Sequence, residues 1–383
     1  MTTDSPYWIA LAHLPQWRTH RLNSLIIGFH HERKISIDEF FALDETVWRT
    51  DFGMTDQEVV DLTGAKSQLV NHSFLAESMQ SQGYEIIPII SPEYPKTLKE
   101  NLKVDRSPAV CYVKGNKEIL KENSVAIVGS RDASDLSLQF TDTIAKHASA
   151  ENKVVVSGFA KGVDKQALDS ALKYKGKSII VLPQGIMTFG SGYQQYYKQI
   201  VEGDLLVIST FFPKAPWKAE LAMARNPIIY GLANEIFVAE SSDKGGTWSG
   251  VIDGLRKGRK IFVRMPGAGE KCANKLLIEK GAVPVDMDGI PLTENLSLED
   301  QKPEKNLIEE QNDALSTMIK NLLISRRMTS QELITTLKLD WSTPQMTSLL
   351  NSIQGIEPVK VKRITYFKLK KSDDGKQEEL VLL

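Results

Sequence analysis

Cysteine is almost absent from this chain, because 383 residues contain only Cys111 and Cys272. Two isolated cysteines supply neither a disulfide framework nor the paired spacing of a zinc site, which favours a reducing compartment. The first residues lack the basic and apolar segments of a signal peptide, and no apolar run approaches the roughly 20 residues that cross a bilayer. We therefore expect a cytoplasmic protein with no membrane segment.

Net charge is also nearly absent. The formal net charge is −1, so the overall charge does not indicate a nucleic-acid partner. Any binding to nucleic acid must come from a local patch of positive charge. A hydrophobic share of 42% and a charged share of 25% are typical of a soluble globular protein. At this length two or three domains are expected.

Catalytic motifs are missing as well. The chain has no Gly-x-x-x-x-Gly-Lys-Ser/Thr sequence, so hydrolysis of a nucleoside triphosphate is not expected. The six histidines lie outside the donor-rich loops described below, and His30-His31 has no partner at metal-ligand spacing. The acids of those loops form no acid/base pair visible in the sequence. We expect no catalytic residue, no metal and no cofactor.

What the chain does contain, from Ser124 onward, is a regular alternation of short apolar strands and helices. The predicted strands are Val125–Val128, Val154–Val156, Ile179–Leu182, Leu205–Ile208, Ile236–Ala239 and Ile261–Val263. Alternation of this kind indicates right-handed βαβ units. We predict an α/β fold, an extended Rossmann-like parallel sheet with helices on both faces.

Two smaller domains should flank this sheet. Residues 1–82 carry helical periodicities and predict a bundle that resembles a sterile-alpha-motif or helix-hairpin-helix domain. The Rossmann-like domain should cover 83–288, and the Pro-containing polar stretch 289–306 predicts a linker. Residues 307–383 show three helices and two strands, the pattern of a winged helix, with a capping box at Thr329 and Glu332. The last strands are rich in Lys and Arg, which suits either a nucleic-acid backbone or a protein contact.

Three loops that follow predicted strands are rich in hydrogen-bond donors. Their candidate anion-binding residues are Gly129, Ser130 and Arg131 in the first loop, Ser157, Gly158, Lys161 and Gly162 in the second, and Gly245, Gly246 and Thr247 in the third. The carboxyl ends of parallel strands meet at one edge of a sheet, so these loops should converge there. A shared anion site is favoured over three independent turns. Asp164 is better interpreted as a helix N-cap than as an acid catalyst.

A fourth segment adds cations and aromatic rings near the same edge. Lys218, Arg225 and Asn226 are donors, and Phe211, Phe212 and Trp217 precede them. Cations beside aromatic faces are what a single strand of nucleic acid requires, with phosphates held by charge and bases by stacking. For each aromatic ring, burial is at least as good an interpretation as base contact.

These motifs, in this order, resemble the DNA-processing protein A family (DprA, also called Smf). The matching segments are Ile127-Val-Gly-Ser-Arg131, Ser157-Gly-Phe-Ala-Lys-Gly-Val-Asp164, Arg225-Asn226 before Ile228-Ile-Tyr-Gly-Leu232, Gly258-Arg259, Pro266-Gly267 and Gly281-Ala282. Tyr94-Pro95 and Pro108 to Asn116 are similar to the family's lead-in to its nucleotide-binding-like domain. The likeness covers most of the chain.

The resemblance implies an extended Rossmann domain that binds single-stranded DNA, forms a homodimer and loads a RecA-type recombinase during natural transformation. It places Ser130, Arg131, Lys218, Arg225 and Asn226 in the DNA pocket. The chain also departs from the family pattern. Pro227 replaces the second Arg of Arg-Asn-Arg, and Leu168 replaces a His. Ser209-Thr210 stands for Ser-Glu, and Gly245-Gly246-Thr247 stands for Ser-Gly-Ser.

Two other functions fit the same loops. Phosphoribohydrolases of the lysine-decarboxylase-like (LOG) family share the fold and a Gly-Gly-x-Gly-Thr loop, which Gly245 to Gly250 resembles. That family also has a downstream Glu, and none occurs between Thr247 and Arg259. The third alternative is a nucleotide-sensing module that binds without turnover.

Overall fold

The computed structural model describes residues 4–292 and, from 316 to 369, every position except 317, 325, 338, 340, 354, 362 and 363. The chain divides into two compact units, Met1–Glu294 and Asn295–Leu383. Most of the predicted linker, 293–306, lies outside the described residues, as does the start of the predicted winged helix. None of the described helices is long and apolar enough to cross a membrane.

The first unit begins with a layer of short helices. They are α1 (Ser5–Ala12), α2 (Thr19–Ile26), α3 (Ile37–Ala42), α4 (Glu45–Phe52), α5 (Asp56–Ser67) and α6 (Leu69–Ser81), with a π-helix at Ile27–Glu32 after α2. Ser36 and Thr55 form capping boxes at the starts of α3 and α5. The helical character predicted for residues 1–82 is confirmed. Apolar residues of this layer, such as Trp8 and Phe40, belong to the same hydrophobic core as the sheet.

Within residues 4–292, nine strands form one sheet in the order β1-β2-β6-β5-β4-β3-β7-β8-β9. The strands are β1 (Tyr84–Pro88), β2 (Val110–Lys114), β3 (Ser124–Gly129), β4 (Val154–Ser157), β5 (Ser178–Val181), β6 (Leu205–Ser209), β7 (Glu235–Glu240), β8 (Ile261–Arg264) and β9 (Val283–Val285). From β6 to β9 all neighbours are parallel, and β1 and β2 add an antiparallel edge. The predicted parallel sheet and its six strands are confirmed; β9 was not predicted.

Helices cover both faces of the sheet, as predicted. They are α7 (Lys96–Arg106), α8 (Asp135–Ala150), α9 (Val163–Lys173), α10 (Gly190–Gln195), α11 (Tyr197–Glu202), α12 (Ala219–Leu232), α13 (Gly245–Arg256) and α14 (Asn274–Glu279). Val125 and Ile127 of β3 pack in one core with Phe140 of α8. The alternate residues Ala126 and Val128 belong to the opposite core. Burial on both sides explains why the strand sequences are continuously apolar.

The second unit has a core of its own, which includes Ile319, Leu333, Met346 and Phe367. Residues 318–324 are helical (α15) and are followed by α16 (Ser330–Leu337), α17 (Thr343–Ser352) and a ribbon of β10 (Ile356–Val361) and β11 (Ile364–Leu369). The capping box is confirmed, because the Glu332 amide donates to Thr329 Oγ1 and the Thr329 amide donates to Glu332. The winged helix itself stays a prediction.

Candidate nucleic-acid interface

A cleft of about 440 Å³ opens at the carboxyl ends of β3 and β7. Connections from β3 run toward β4, β5 and β6, whereas those from β7 run the other way to β8 and β9. A reversal of this kind leaves a crevice in which open α/β sheets bind ligands. Eight of the predicted site residues line it: Gly129, Ser130, Arg131, Arg225, Asn226, Gly245, Gly246 and Thr247.

The N-terminus of α13 forms one wall of the cleft. Lys244 occupies the N-cap position and makes no side-chain capping bond, so the first N–H groups of the helix lack that partner. Gly245 has φ +90°, a conformation that favours glycine. A Cβ at Gly246 would lie 2.6 Å from Asn226 Nδ2, so α13 and α12 can approach closely only with glycine there. An exposed helix N-terminus with free amides favours an anion.

The N-terminus of α8, by contrast, is already occupied by a carboxylate of the protein. Glu240 Oε2 accepts hydrogen bonds from the Ser134 amide at 2.9 Å, the Ser134 hydroxyl at 2.6 Å and the Ser137 hydroxyl at 2.7 Å. Burial alone would raise the pKa of Glu240, but these hydrogen bonds outweigh it and the pKa lies below its usual range. Dinucleotide-binding sheets place a pyrophosphate at this helix end, and here Glu240 occupies that position.

Arg225 lies beneath the cleft and is 4% exposed. Its Nη1 donates to the carbonyl of Val181 at 3.0 Å, while its Nε has no hydrogen-bond partner among the described residues. Burial lowers the pKa of Arg225, and the nearby Asp164 opposes that shift. Arg225 is therefore a buried cation with one unused donor among the residues that line the cleft.

The prediction that Asp164 caps a helix is wrong. Gly162 is the N-cap of α9, and Asp164 lies inside its first turn, buried beside Arg225. Burial raises the pKa of the Asp164 carboxyl, while Arg225 and the amides of Ala160 and Gly158 act in the opposite direction. Its partner is thus a charge from a distant segment, which no local sequence pattern reveals.

The four site residues predicted in the second loop do not line the cleft, and three of them, Ser157, Gly158 and Gly162, support it from below. Ser157 is fully buried and donates from its hydroxyl to the carbonyl of Asp164 at 2.6 Å. A Cβ at Gly158 would lie 1.7 Å from Arg225 Nη1. A Cβ at Gly162 would lie 2.3 Å from the carbonyl oxygen of Ser130. These residues therefore hold Arg225 and the Ser130 loop in place.

Two cations at the cleft are free. Arg131 and Lys244 are exposed and line the cleft, and neither forms an ion pair with any residue in the described part of the chain. Lys161 and Lys218 are also exposed, but they do not line the cleft. Sequence reasoning missed Lys244, although a lysine directly before Gly245-Gly246 at a strand-to-helix turn was a usable signal.

The aromatic residues of the fourth segment separate into two groups. Trp217 lines the cleft and is 55% exposed, beside the 50% exposed Met223. Phe212 is half-buried and packs edge-on against His13. Phe211 is half-buried as well and does not line the cleft. Base contact is therefore compatible with the position of Trp217 and is disfavoured for the two phenylalanines.

Fold and cleft together define an α/β protein with an open, mainly parallel sheet and a donor-rich cleft at its switch point. The model of the DNA recombination-mediator protein A family matches residues 85–294. That match covers more than half of the chain, and the chain therefore belongs to this family, as its motifs indicated. The N-terminal helical layer lies outside the matched residues.

The curated relatives include DNA processing protein DprA of Streptococcus pneumoniae, which is 30% identical over 219 residues, 55% of this chain and 75% of the relative. DprA of Bacillus subtilis is 29% identical over 191 residues, 49% of this chain and 63% of the relative. Among solved structures, DprA of S. pneumoniae superposes with a TM-score of 0.60 at 24% identity and covers 74% of this chain and 95% of that one. That likeness supports the fold.

Proposed function

We propose that the protein is a non-catalytic single-stranded DNA-binding recombination mediator whose strand binds in the cleft. One observation carries the proposal: Arg131, Lys244 and the α13 N-terminus meet at one cleft above the partly unpaired Arg225. Three cations and one carboxylate, Asp164, are among the lining residues, so the site favours a polyanion.

A single strand fits this cleft better than a duplex. The free cations stand beside the exposed Trp217, and a base can stack on an aromatic ring only when it is not paired inside a helix. The cleft is a concave pocket at the end of a sheet.

The hydrolase alternative lacks a usable acid. Cleavage of a glycosidic bond needs a carboxylate free to act on the ligand. Among the lining residues the carboxylate is Asp164, which is held by Arg225 and two amides, and the neighbouring Glu240 is bound to α8. We therefore favour binding without turnover.

The test is fluorescence anisotropy with a labelled oligothymidylate at several salt concentrations. Arg131→Ala and Lys244→Ala should each weaken binding by about 1–3 kcal/mol and reduce the salt slope by roughly 0.7 for each phosphate that is no longer neutralised. Lys198→Ala, which removes an exposed lysine of α11, is the matched control and should bind like wild type. If both cleft variants bind the oligonucleotide like wild type, the strand does not bind in this cleft.

Incubation with nucleoside monophosphates tests the enzyme alternative directly, since release of free base would establish turnover. Tight binding of a mononucleotide without release, and no binding of oligonucleotides, would favour the sensor.

The recombinase partner and the homodimer are further parts of the proposal, supported by family membership. A mediator should accelerate assembly of a RecA-type recombinase on strands coated with single-strand-binding protein. Sedimentation should give twice the chain mass. If the protein is a monomer and still accelerates assembly of the recombinase, only the proposed dimer is wrong.

A further inference from the structure

The segment that brings Trp217 to the cleft also contacts the N-terminal helical layer. Its contact residue is Phe212, which lies between β6 and α12 and precedes Trp217 by five positions. The ring centroid of Phe212 is 5.4 Å from that of His13, directly after α1, and 6.2 Å from that of His72 in α6. Both contacts are edge-on, so two helices of the layer hold one ring of the segment.

The two histidines are fixed as neutral rings. His13 stacks on Tyr112 of β2 with ring centroids 5.8 Å apart, and its Nε2 lies 2.8 Å from the Tyr112 hydroxyl. Tyr112 is fully buried in the sheet. Burial lowers the pKa of His13 from 6.5 to about 4 and also lowers the pKa of His72, so both rings are uncharged at neutral pH. The surface that receives Phe212 is therefore anchored to the sheet.

After Phe212 the segment is held by the backbone of the turn that follows β5. The Met187 amide donates to the carbonyl of Pro213 at 3.0 Å, and the Gly185 amide donates to the carbonyl of Ala215 at 2.9 Å. A Cβ at Gly185 would lie 2.3 Å from the carbonyl oxygens of Phe212 and Pro213. The segment and the turn are thus in direct backbone contact, which leaves little room for a shift toward the turn.

The remaining link to the cleft is short and stiff. Pro216 fixes its own φ and restricts the residue before it, Ala215. Lys218 is already the N-cap of α12. The Trp217 indole forms no hydrogen bond with any residue in the described part of the chain, so its position depends on the backbone on either side of it. A displacement of Phe212 should consequently reach Trp217.

From these contacts we propose that Phe212 is a positioning residue of the DNA site: the helical layer holds its ring, and the ring determines where Trp217 stands at the cleft. This inference rests on the proposed function. His13 and His72 lie outside residues 85–294, which the family model matches. The helical layer thereby contributes to binding of the strand without contacting it.

The first experiment measures the affinity of the full chain for a labelled oligothymidylate by anisotropy. Trp217→Ala should weaken binding about tenfold and Phe212→Leu about fivefold, because loss of one well-placed aromatic contact has an effect of that order. The double variant should bind no more weakly than Trp217→Ala alone, since the position of Trp217 no longer matters once it is removed. Phe52→Leu removes a ring of α4 in the same helical layer and should bind like wild type.

The second experiment follows Trp217 in the absence of DNA. The fluorescence of this residue is the difference between each protein and its Trp217→Phe counterpart. The difference spectrum should shift in Phe212→Leu and match wild type in Phe52→Leu, which a general loss of stability would not produce. His72→Gln removes the second ring contact from a half-buried position and should shift the spectrum in the same direction.

An unshifted spectrum in both Phe212→Leu and His72→Gln would overturn the proposal. So would additive losses of affinity in the double variant, because Phe212 would then act on the strand independently of Trp217. If wild type itself does not bind the oligonucleotide, the proposed function is wrong, and a spectral shift would still establish that Phe212 positions Trp217.

Discussion

At the scale of single residues, the cleft depends on one buried cation. Arg225 reaches its position beside Asp164, Val181 and Gly158, which come from two separate segments of the chain. Each of these neighbours is needed for a different reason: one supplies charge, one accepts a hydrogen bond, and one provides space. The guanidinium is consequently pre-oriented before any ligand arrives.

Gly158→Ala should displace Arg225, because the new methyl group would lie 1.7 Å from Nη1. We expect a loss of about 1–3 kcal/mol in unfolding free energy from overpacking, measured by urea denaturation, together with weaker DNA binding. Gly64→Ala in α5 is the control. Its Cβ meets nothing within 4 Å, so it should leave stability unchanged or raise it by up to about 1 kcal/mol. Wild-type stability in Gly158→Ala would show that Arg225 is not fixed there.

The buried His13 should make the stability of the protein depend on pH. Burial, with a smaller contribution from His72, lowers the pKa of His13 from 6.5 to about 4. Between these values the unfolded chain binds a proton that the folded chain does not. Stability should therefore fall as the pH drops from 6.5 to 4, by roughly 3 kcal/mol from this residue.

The measurement is the unfolding free energy of wild type and His13→Gln across that range. Glutamine can still hydrogen-bond to the Tyr112 hydroxyl, which lies 2.8 Å from the histidine Nε2. The variant should lose less stability on acidification than wild type. Parallel profiles would mean that another group carries the acid sensitivity.

At the scale of elements, α12 contains a proline in its interior. Pro227 has no amide hydrogen, so it cannot donate to the carbonyl four residues earlier, at Met223. Pro227→Ala should restore that bond and stabilise the protein by about 1–3 kcal/mol in urea unfolding. Pro216→Ala, in the segment before α12, should change stability by less than about 0.5 kcal/mol. Destabilisation by Pro227→Ala would show that the packing of the proline ring contributes more than the lost hydrogen bond costs the helix.

Elements were more predictable from the sequence than side-chain partnerships. Strands β3 to β8 were predictable because each is a short apolar run that ends at turn residues, which is the pattern of a buried parallel strand. Strand β9 contains only three residues, one of them proline, and is too short to produce such a signal. The charges of Asp164 and Arg225 act on each other across 61 positions of sequence, and a single sequence does not reveal that they lie close together. Ser157 and Gly162 lie close to the predicted site, but their role beneath it depends on packing.

At the scale of the whole molecule, the first unit contains the entire cleft. Residues 1–294 form one compact unit, and the second unit has a separate hydrophobic core. A fragment of residues 1–294 should therefore fold and bind oligothymidylate within about threefold of the full chain, since its phosphate contacts are complete. Calorimetry and anisotropy would measure both properties. If the fragment loses more affinity for the oligonucleotide than Arg131→Ala does, part of the DNA site lies in the C-terminal unit.

Glu240 affects which molecules compete for the protein. Its carboxylate already neutralises the helix end at which cofactors such as NAD dock their diphosphate in related sheets. We therefore expect metabolic cofactors to be rejected at that position, however abundant they are in the cell. In this way Glu240 would prevent abundant cofactors from competing with a scarcer ligand, although its own side chain contacts no ligand.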